Sequence, residues 1–485
     1  MNTAQRIQLN AQTDLALAEI ISALTYALDL TEGQPAGHCI RCCWIGFHIG
    51  KRIGMDPATL WDLYYTLLLK DAGCSSNAAR LCELYGQDDH ITKRDFKSVD
   101  TDSLVQLVQF VLNHAGVKGS LADRFKRVLR LAREGEKLAT ELIQTRCERG
   151  ADIARRLGFG EAVATGIYAL DEHWNGRGKP QGLKGEEIPI HARIALMAQV
   201  IDVFHQIGGR NAALRELRNR SGTWFDPALV EVASGLFSDD VFWESLKADH
   251  LDRLVQELEP EGRFLMVDDD LLDEIAEAFG QVVDAKSPWT AGHSKRVALY
   301  ADIIATKMGV EDSRRRWLKR GALLHDLGKL GVSNSILDKE GSLTPEEWQE
   351  VRRHPTYTEE ILAHISPFRE LAIIAGAHHE RLDGKGYPKG LVASELTLET
   401  RIITISDIFD ALTAPRPYRG PVPVPEAAEI MGRMVGTALD ACCYNALMEG
   451  IQEIQLGAKR SSQSTRRAGG RTDRPLSSGE NPGLV

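Results

Sequence analysis

Two stretches of the chain carry the same short motifs in the same order, and this internal repeat limits the fold more than any other feature of the sequence. Isolated short matches arise by chance, but five in one order indicate two copies of one domain. The matched segments are residues 36–41 with 291–296, 68–73 with 323–328, 175–180 with 383–388, 193–204 with 401–412, and 222–226 with 436–440.

The spacing of the repeat predicts how the copies differ. The first two pairs share an offset of 255 residues and the next two an offset of 208, so the first copy contains an insertion of about 47 residues between its second and third segments. Apolar residues at helical spacing over 104–112 and 121–132 predict helices inside this insertion. Convincing alternating strands are scarce, so we expect an all-α fold.

We therefore predict two related helical domains in tandem, followed by a tail. The domains are expected at 1–258 and 270–455, joined by a link rich in acidic residues with one proline and one glycine. Residues 458–485 are rich in Ser, Gly and Arg without apolar periodicity, which predicts a disordered basic tail. Asp56-Pro57 and Thr344-Pro345 each predict a helix start, and the second helix should end before His354-Pro355.

The overall composition excludes some classes of function. A formal net charge of −10 argues against broad nucleic-acid binding. No signal peptide or membrane-spanning stretch is visible, so we expect a cytoplasmic protein. The eight cysteines form no disulfide framework. Cys39-x-x-Cys42-Cys43 lacks a second ligand pair, so zinc binding there is not expected.

The second copy concentrates side chains that bind transition metals. Imidazole and carboxylate suit iron or manganese, and a bridging carboxylate suits a two-metal centre. Each of these residues alone would more often be structural, but their joint spacing around His325-Asp326 favours a metal site. The candidate ligands are His293, His325, Asp326, His354, His378, His379 and Asp407.

Three motifs of the second copy resemble the HD-GYP family of the HD superfamily of metal phosphohydrolases. They are LLHDLGK at 323–329, HHERLDGKGYP at 378–388 and DIFDALTAPRPYR at 407–419. The resemblance implies an all-α domain with those seven ligands that hydrolyses cyclic dinucleotides, mainly cyclic di-GMP to linear pGpG, with GMP left open as a further product. Some family members bind a third metal through a glutamate where this chain has Trp289, so we expect two divalent cations, iron or manganese.

The resemblance also implies roles for residues near the metals. Asp326 and Lys329 would be catalytic, with Lys329 also touching the substrate. Arg416 and Arg419 would contact substrate phosphates, a task that suits the guanidinium fork. The residues expected to shape the loop that gives the family its name are Gly384, Gly386, Tyr387 and Pro388.

The first copy lacks most of these ligands. His38 and Asp71 are retained, but Lys70 stands at the position of His325 and Gln199 at that of Asp407, while Leu170 and Asp171 replace the paired histidines. A lysine ammonium opposes cation binding. We therefore expect a metal-free, degenerate HD-type domain that serves regulation, dimerisation or ligand sensing.

Other functions stay open at this level. Some HD-GYP proteins resembling this tandem arrangement prefer 3′3′-cyclic GMP-AMP, which makes that compound an alternative substrate. A nucleotide phosphohydrolase of the wider superfamily and a non-catalytic cyclic-dinucleotide receptor are the remaining alternatives. A homodimer or a signalling-protein partner is compatible with each of them.

Overall fold

The computed structural model describes residues 17–117, 119–261, 267–416 and 419–469, with side chains described through residue 456. Every regular element in these ranges is an α-helix or a short 3-10 helix, and β-pairing there is confined to isolated bridges. The predicted all-α fold is confirmed.

Twelve α-helices are described before residue 260. They are α1 Leu17–Thr31, α2 His38–Arg52, α3 Pro57–Leu69, α4 Ala78–Tyr85, α5 Asp89–Phe96, α6 Leu104–His114, α7 Leu121–Arg156, α8 Glu161–Tyr168, α9 Ile190–Asn219, α10 Pro227–Ser234, α11 Asp240–Ser245 and α12 Leu251–Gln256. Short 3-10 helices lie at Cys74–Asn77, Gly185–Glu187 and Gly235–Ser238.

Ten α-helices are described after residue 266. They are α13 Asp269–Asp284, α14 His293–Lys307, α15 Asp312–Leu324, α16 Asn334–Leu337, α17 Pro345–Val351, α18 His354–Ala363, α19 Arg369–Gly376, α20 Leu398–Thr413, α21 Val424–Gly432 and α22 Ala441–Gly469. The 3-10 helices here are Pro288–Thr290, Leu327–Gly331, Ser366–Phe368 and Ala393–Glu395.

The sequence repeat is a repeat of helices. The pairs α2 with α14 and α3 with α15 begin and end at the offset of 255 residues, and α8 with α19 at the offset of 208. Both α2 and α14 start at a histidine, after Gly37 and Gly292 in the left-handed conformation (φ 81° and 69°). Glycine adopts this conformation without steric cost, which lets the chain turn directly into the helix.

Local sequence signals place several helix ends. The Asp56 carboxylate accepts hydrogen bonds from the backbone N–H groups of Ala58 and Thr59, and Thr344 forms the expected capping box with Glu347. Both predicted helix starts are confirmed, and α17 ends before His354 as expected. The insertion in the first half contains α6 at the predicted position, and α7 begins at Leu121 as predicted but continues to Arg156, past the predicted segment 121–132.

The last helix extends further than the sequence predicts. α22 continues to Gly469, through residues 458–469 that were expected to be disordered. No glycine or proline interrupts residues 458–468, so each added residue can close another backbone hydrogen bond. The rest of the predicted tail, residues 470–485, lies outside the described residues.

The two halves share one continuous hydrophobic core. Helix α1 of the first half packs against α18 and against the 3-10 helix Leu327–Gly331 of the second half. This contact places helix α1 of the first half against the 3-10 helix that directly follows His325-Asp326. The domain boundary near 258–270 stays a prediction.

Candidate metal centre

The structure brings the seven predicted metal ligands of the second half into one buried cluster. Five of their side chains are at most 2% exposed, Asp407 is 9% exposed and His379 is 24% exposed. The ligands come from three helices and from the turns that follow two others, although they are spread over more than a hundred residues of chain. They are His293, His325, Asp326, His354, His378, His379 and Asp407.

His293 enters the cluster from the first residue of α14. Its Nδ1 lies 2.7 Å from Oδ2 of Asp410, which fixes the ring. Its Nε2 points the other way, 3.2 Å from Oδ2 of Asp326 and 3.5 Å from Oδ1 of Asp407.

His325 and Asp326 lie where α15 ends and a 3-10 helix, Leu327–Gly331, begins. This change of helix type lets two consecutive side chains face one cavity. His325 Nδ1 lies 2.7 Å from the Ala322 carbonyl oxygen, and its Nε2 lies 3.4 Å from Oδ2 of Asp326.

His354 and His378 face the other side of Asp326. Their Nδ1 atoms lie 2.6 Å and 2.5 Å from the carbonyl oxygens of Val351 and Ala375. Their Nε2 atoms lie 3.4 Å and 3.7 Å from Oδ1 of Asp326. His379 forms the rim, with Nδ1 4.0 Å from Asp407 Oδ2.

The two oxygens of Asp326 therefore face two separate groups of donors. Within each of these groups, one ligand atom per residue lies within 4.8 Å of the others, which is compatible with one bound cation each. A carboxylate between them can bridge two cations. The groups are His293 with His325 and Asp407, and His354 with His378 and His379.

The protonation geometry of these side chains fits divalent cations. Four imidazoles place Nδ1 against a carbonyl or carboxylate oxygen, so Nδ1 carries a proton and Nε2 is the atom directed toward a metal. Nε2 of His293, Nε2 of His325 and Oδ1 of Asp326 are buried without a hydrogen-bond partner. Buried polar atoms are normally satisfied, so this concentration of unsatisfied acceptors matches the donor set of a metal site.

Charge in the centre is set by burial and by close contacts. Burial lowers the pKa of the His378 imidazole to about 3. Burial also opposes ionisation of Asp326, but Lys329 and the nearby imidazoles outweigh it and hold the pKa of that carboxyl well below its usual range. His293 is penalised by burial as well, yet contacts with Asp326 and Asp410 raise its pKa to about 9. A cation that binds His293 would therefore displace a proton.

Of the predicted substrate contacts, the structure brings only Lys329 to the centre. Its Nζ lies 2.5 Å from Oδ2 of Asp326, and the side chain is 18% exposed, so it reaches both the cluster and solvent. The Arg419 guanidinium instead donates to the carbonyl oxygens of Ala411 and Leu412 at the end of α20. Arg416 pairs with Arg419 through the backbone in the same turn.

The loop at 383–388 lies against the rim of the centre. Gly384 adopts the left-handed conformation (φ 71°), and a Cβ atom on Gly386 would lie 2.4 Å from the Cα of Glu380, so both glycines are required by the loop's shape. The Tyr387 ring stacks on the His379 imidazole with centroids 4.8 Å apart. The Tyr387-Pro388 bond is cis.

In the first half, lysine ammonium groups occupy the region that corresponds to the cluster of candidate metal ligands in the second half. Lys70 Nζ contacts the Asp71 carboxylate and lies 3.1 Å from Nε2 of His38 and 3.2 Å from Oε1 of Gln199. Lys97, the residue after α5, lies 3.5 Å from both Asp71 Oδ1 and His38 Nε2. Burial lowers the pKa of His38 to about 4, and both ammonium groups add to that effect.

Several buried acids that position the site escaped the sequence analysis. Asp410 orients His293, and Asp202 makes the same contact with His38 at 2.7 Å. The Glu380 carboxylate accepts three backbone N–H groups of the loop after the histidine pair, and Glu172 does so in the first half. Both pairs share the offset of 208, so the repeat itself could have found them.

Comparison with known proteins agrees with this geometry. The HD domain family model matches residues 125–229 and 277–442. A 3′3′-cGAMP-specific phosphodiesterase (number 3) of Vibrio cholerae is 53% identical over 441 residues, which cover 91% of this chain and 96% of the relative. A cyclic di-GMP phosphodiesterase of Thermotoga maritima is 34% identical over 207 residues, 42% of this chain and 56% of the relative.

One solved structure covers nearly the whole chain. It is a cyclic GMP-AMP specific phosphodiesterase of V. cholerae, 49% identical, with a TM-score of 0.63 over 90% of this chain and 97% of that chain. A helical fold with an adjacent His-Asp pair inside a ring of further histidines defines the class of HD-domain metal-dependent hydrolases. The chain belongs to the HD domain family, and the predicted placement in its HD-GYP branch is confirmed.

Proposed function

We propose that this HD-GYP phosphodiesterase hydrolyses 3′3′-cyclic GMP-AMP to a linear dinucleotide. The observation that carries the proposal is the similarity over nearly the full length, 53% over 91% of the chain, to a relative named for that substrate. The solved relative that spans both halves is described as a phosphodiesterase specific for cyclic GMP-AMP.

This proposal reverses the order of substrates expected from the motifs. The motifs alone favoured cyclic di-GMP, with cyclic GMP-AMP as the alternative. The T. maritima relative named for cyclic di-GMP aligns over less than half of this chain. A receptor without activity is disfavoured because a receptor needs no cluster of buried, unsatisfied metal acceptors. A general nucleotide phosphohydrolase is disfavoured by the loop at 383–388.

The seven clustered side chains are the proposed ligands of two divalent cations, with iron or manganese as the proposed metals. When bound, such a pair of cations supplies an activated water and neutralises charge on the phosphate. His293, His325 and Asp407 would hold one cation, and His354, His378 and His379 the other, with Asp326 between them.

The protein's own groups orient these ligands and the substrate. Asp410 and three backbone carbonyl oxygens hold four imidazoles with Nε2 directed inward, so little reorganisation is needed when ligands bind. Lys329 is anchored on Asp326 and partly exposed, which suits it to a phosphate oxygen of the substrate. For Arg419 to take the proposed phosphate contact, its guanidinium would have to leave the carbonyl oxygens at the end of α20.

Parallel turnover assays test the proposal. We expect protein loaded with Mn²⁺ or Fe²⁺ to hydrolyse 3′3′-cyclic GMP-AMP with a higher kcat/KM than cyclic di-GMP, and to leave a plain nucleotide intact. Chromatography of the products distinguishes a linear dinucleotide from mononucleotides. Faster turnover of cyclic di-GMP would restore the first expectation. If bound metal is confirmed and none of the compounds is hydrolysed, the proposed enzymatic activity is wrong.

For the first half we propose a metal-free regulatory role. The Lys70 and Lys97 ammonium groups beside His38 and Asp71 support it, because a cation there would meet two fixed positive charges.

A homodimer or a signalling partner stays a prediction. None of the helices in the described ranges is long and apolar enough to span a membrane.

A further inference from the structure

The first half contains a cavity of about 960 Å³, within the size range of ligand-binding pockets in proteins. Gln199, Asp171 and Cys74 line one end of it. The repeat offsets of 208 and 255 place these three at the positions of the second half's metal ligands and catalytic lysine. The cavity therefore occupies the place that the substrate site would occupy in the other copy.

The end of the cavity near Gln199 retains positive charge without any metal. Lys97 lies 3.0 Å from the lining carboxylate of Glu32 and 3.5 Å from Asp71, and Lys70 lies directly behind it against the same aspartate. Lys93 and Arg146 also line the cavity, paired with Glu32 and Asp171, so four cations face three carboxylates at this end. Two ammonium groups thus stand beside the retained His38 and Asp71, where the second half would hold two cations. Such charges attract phosphate whether or not metal is present.

Two further cations lie on the loop at 175–180, which corresponds to the loop at 383–388. Arg177 and Lys179 both line the cavity, and neither forms an ion pair with a described residue. Lys179 stands at the position of Tyr387. Uncommitted guanidinium and ammonium groups at a cavity wall suit phosphate oxygens.

The other walls come from the inserted segment and are mostly apolar. Phe96 and Phe110, with ring centroids 5.2 Å apart, line the cavity together with Leu107, Val108 and Leu138. Aromatic and aliphatic walls suit the flat faces of nucleobases, which stack favourably on such surfaces. A lipid with one charged head group would pack its chain against these walls, but the head group would pair with only one of the several cations.

We propose that this cavity binds a cyclic dinucleotide without metal and without hydrolysing it. The choice of ligand rests on the proposed function, since the cavity is the degenerate copy of the proposed substrate site. Phosphates would lie at the cationic end and bases along the apolar walls. Hydrolysis does not follow, because Lys70 and Leu170 stand where the second half has metal-binding histidines.

The cavity is connected to the catalytic half through α5. This helix begins at Asp89 and is followed at its end by Lys97, which lines the cavity. Asp89 Oδ1 accepts a hydrogen bond from the Asn334 backbone N–H at 2.9 Å, and Asp89 Oδ2 lies 3.7 Å from Nζ of Lys286. The same Nζ donates to the Leu330 carbonyl oxygen at 3.1 Å. Leu330 follows the catalytic Lys329, so a ligand that shifts α5 acts on the catalytic segment.

Calorimetric titration of the full chain in EDTA, with 3′3′-cyclic GMP-AMP as the probe, tests the proposal. We expect one molecule to bind per chain without metal. Lys179→Glu should weaken binding about ten-fold or more, through loss and reversal of one charged contact. Val108→Trp should block the cavity without altering its charges. Lys184→Glu is the matched control, because Lys184 is an exposed lysine of the same segment that does not line the cavity.

Absence of binding in EDTA would overturn the proposal, as would binding that both cavity variants leave unchanged. Palmitate serves as the competing amphiphile, and we do not expect it to displace the bound nucleotide. If palmitate binds there and the nucleotide does not, the cavity belongs to an amphiphile and the proposal is wrong. Turnover by the metal-loaded protein is scored separately: metal-free binding that Lys179→Glu weakens upholds this inference even if no cyclic dinucleotide is hydrolysed.

Discussion

The ammonium of Lys70 lies 3.1 Å from Nε2 of His38, and Lys70 stands at the position that His325 occupies in the second half. The site in the first half thus holds the ammonium group of a lysine against its retained histidine. The other presents buried Nε2 atoms without hydrogen-bond partners. Because like charges repel in a buried site, the two halves should differ in metal content and therefore in chemistry.

Replacement of the central carboxylate should abolish turnover. Asp326→Ala removes the group that faces both donor clusters, so we expect metal content to fall and kcat/KM to drop by at least about 100-fold. Metal analysis and the cyclic GMP-AMP assay measure the two effects. Asp302→Asn, which loses a surface ion pair with Arg315, serves as the control. Full activity in Asp326→Ala would show that the site assignment is wrong.

The repeat offers a matched pair of variants for the orienting acids. Asp410→Asn should weaken the hold on His293 Nδ1 and reduce metal affinity by about 10- to 100-fold. Asp202→Asn makes the equivalent change at His38 and should leave metal affinity unaltered. Competition with a fluorescent chelator measures both affinities. Equal loss in the two variants would indicate a general destabilisation rather than ligand orientation.

Removal of Lys70 should affect stability and not metal content. Lys70→Ala leaves the fully buried Asp71 with one fewer cationic partner, and breaking a buried ion pair costs about 3–5 kcal/mol. We expect denaturant unfolding to show a loss of this order while the metal stoichiometry stays at two per chain. A third equivalent of metal in Lys70→Ala would contradict a metal-free first half.

The contact between the halves should support catalysis. Asp89 is buried and accepts hydrogen bonds from Ser333 Oγ and the Asn334 N–H, next to the 3-10 helix that carries Lys329. Asp89→Asn should lower kcat more than it raises KM, because it loosens the catalytic segment rather than the substrate pocket. Asp95→Asn, near the other end of the same helix, where the side chain is 37% exposed and pairs with Arg94 and His114, is the control. Equal kinetic changes in both variants would exclude a specific role for Asp89.

Acid should destabilise the first half through Glu32. Burial alone would raise the pKa of this carboxyl, but Lys97 and Lys93 outweigh burial and lower it to about 2 from an ordinary 4.5. A depressed pKa contributes stability that is present above about pH 4.5 and is lost as the pH falls towards 2. Urea midpoints over this range should fall less steeply in Glu32→Gln than in the exposed control Glu134→Gln. Parallel curves would refute the assignment.

The helices and the ligand set were predictable because they depend on local or repeated signals. The Asp56 and Thr344 caps place helix starts through hydrogen bonds to neighbouring N–H groups, which sequence spacing reveals. The continuation of α22 past residue 458 was missed, because composition favoured disorder while no glycine or proline interrupts residues 458–468. The position of Arg419 on the carbonyl oxygens of α20 was equally hidden, since one guanidinium can satisfy either a helix end or a phosphate.

The sequence is sufficient to establish that the chain contains two related helical copies, that the full set of seven candidate ligands is present in only one of them, and that Lys70 replaces a histidine in the other. Tertiary structure alone decided which atoms meet. Lys97 follows α5, where no motif marks it, and still lies 3.5 Å from His38 Nε2. Asp89 reaches across to Asn334 more than two hundred residues away. Such contacts follow from the packing of distant helices around a shared core, and local sequence signals carry no record of that packing.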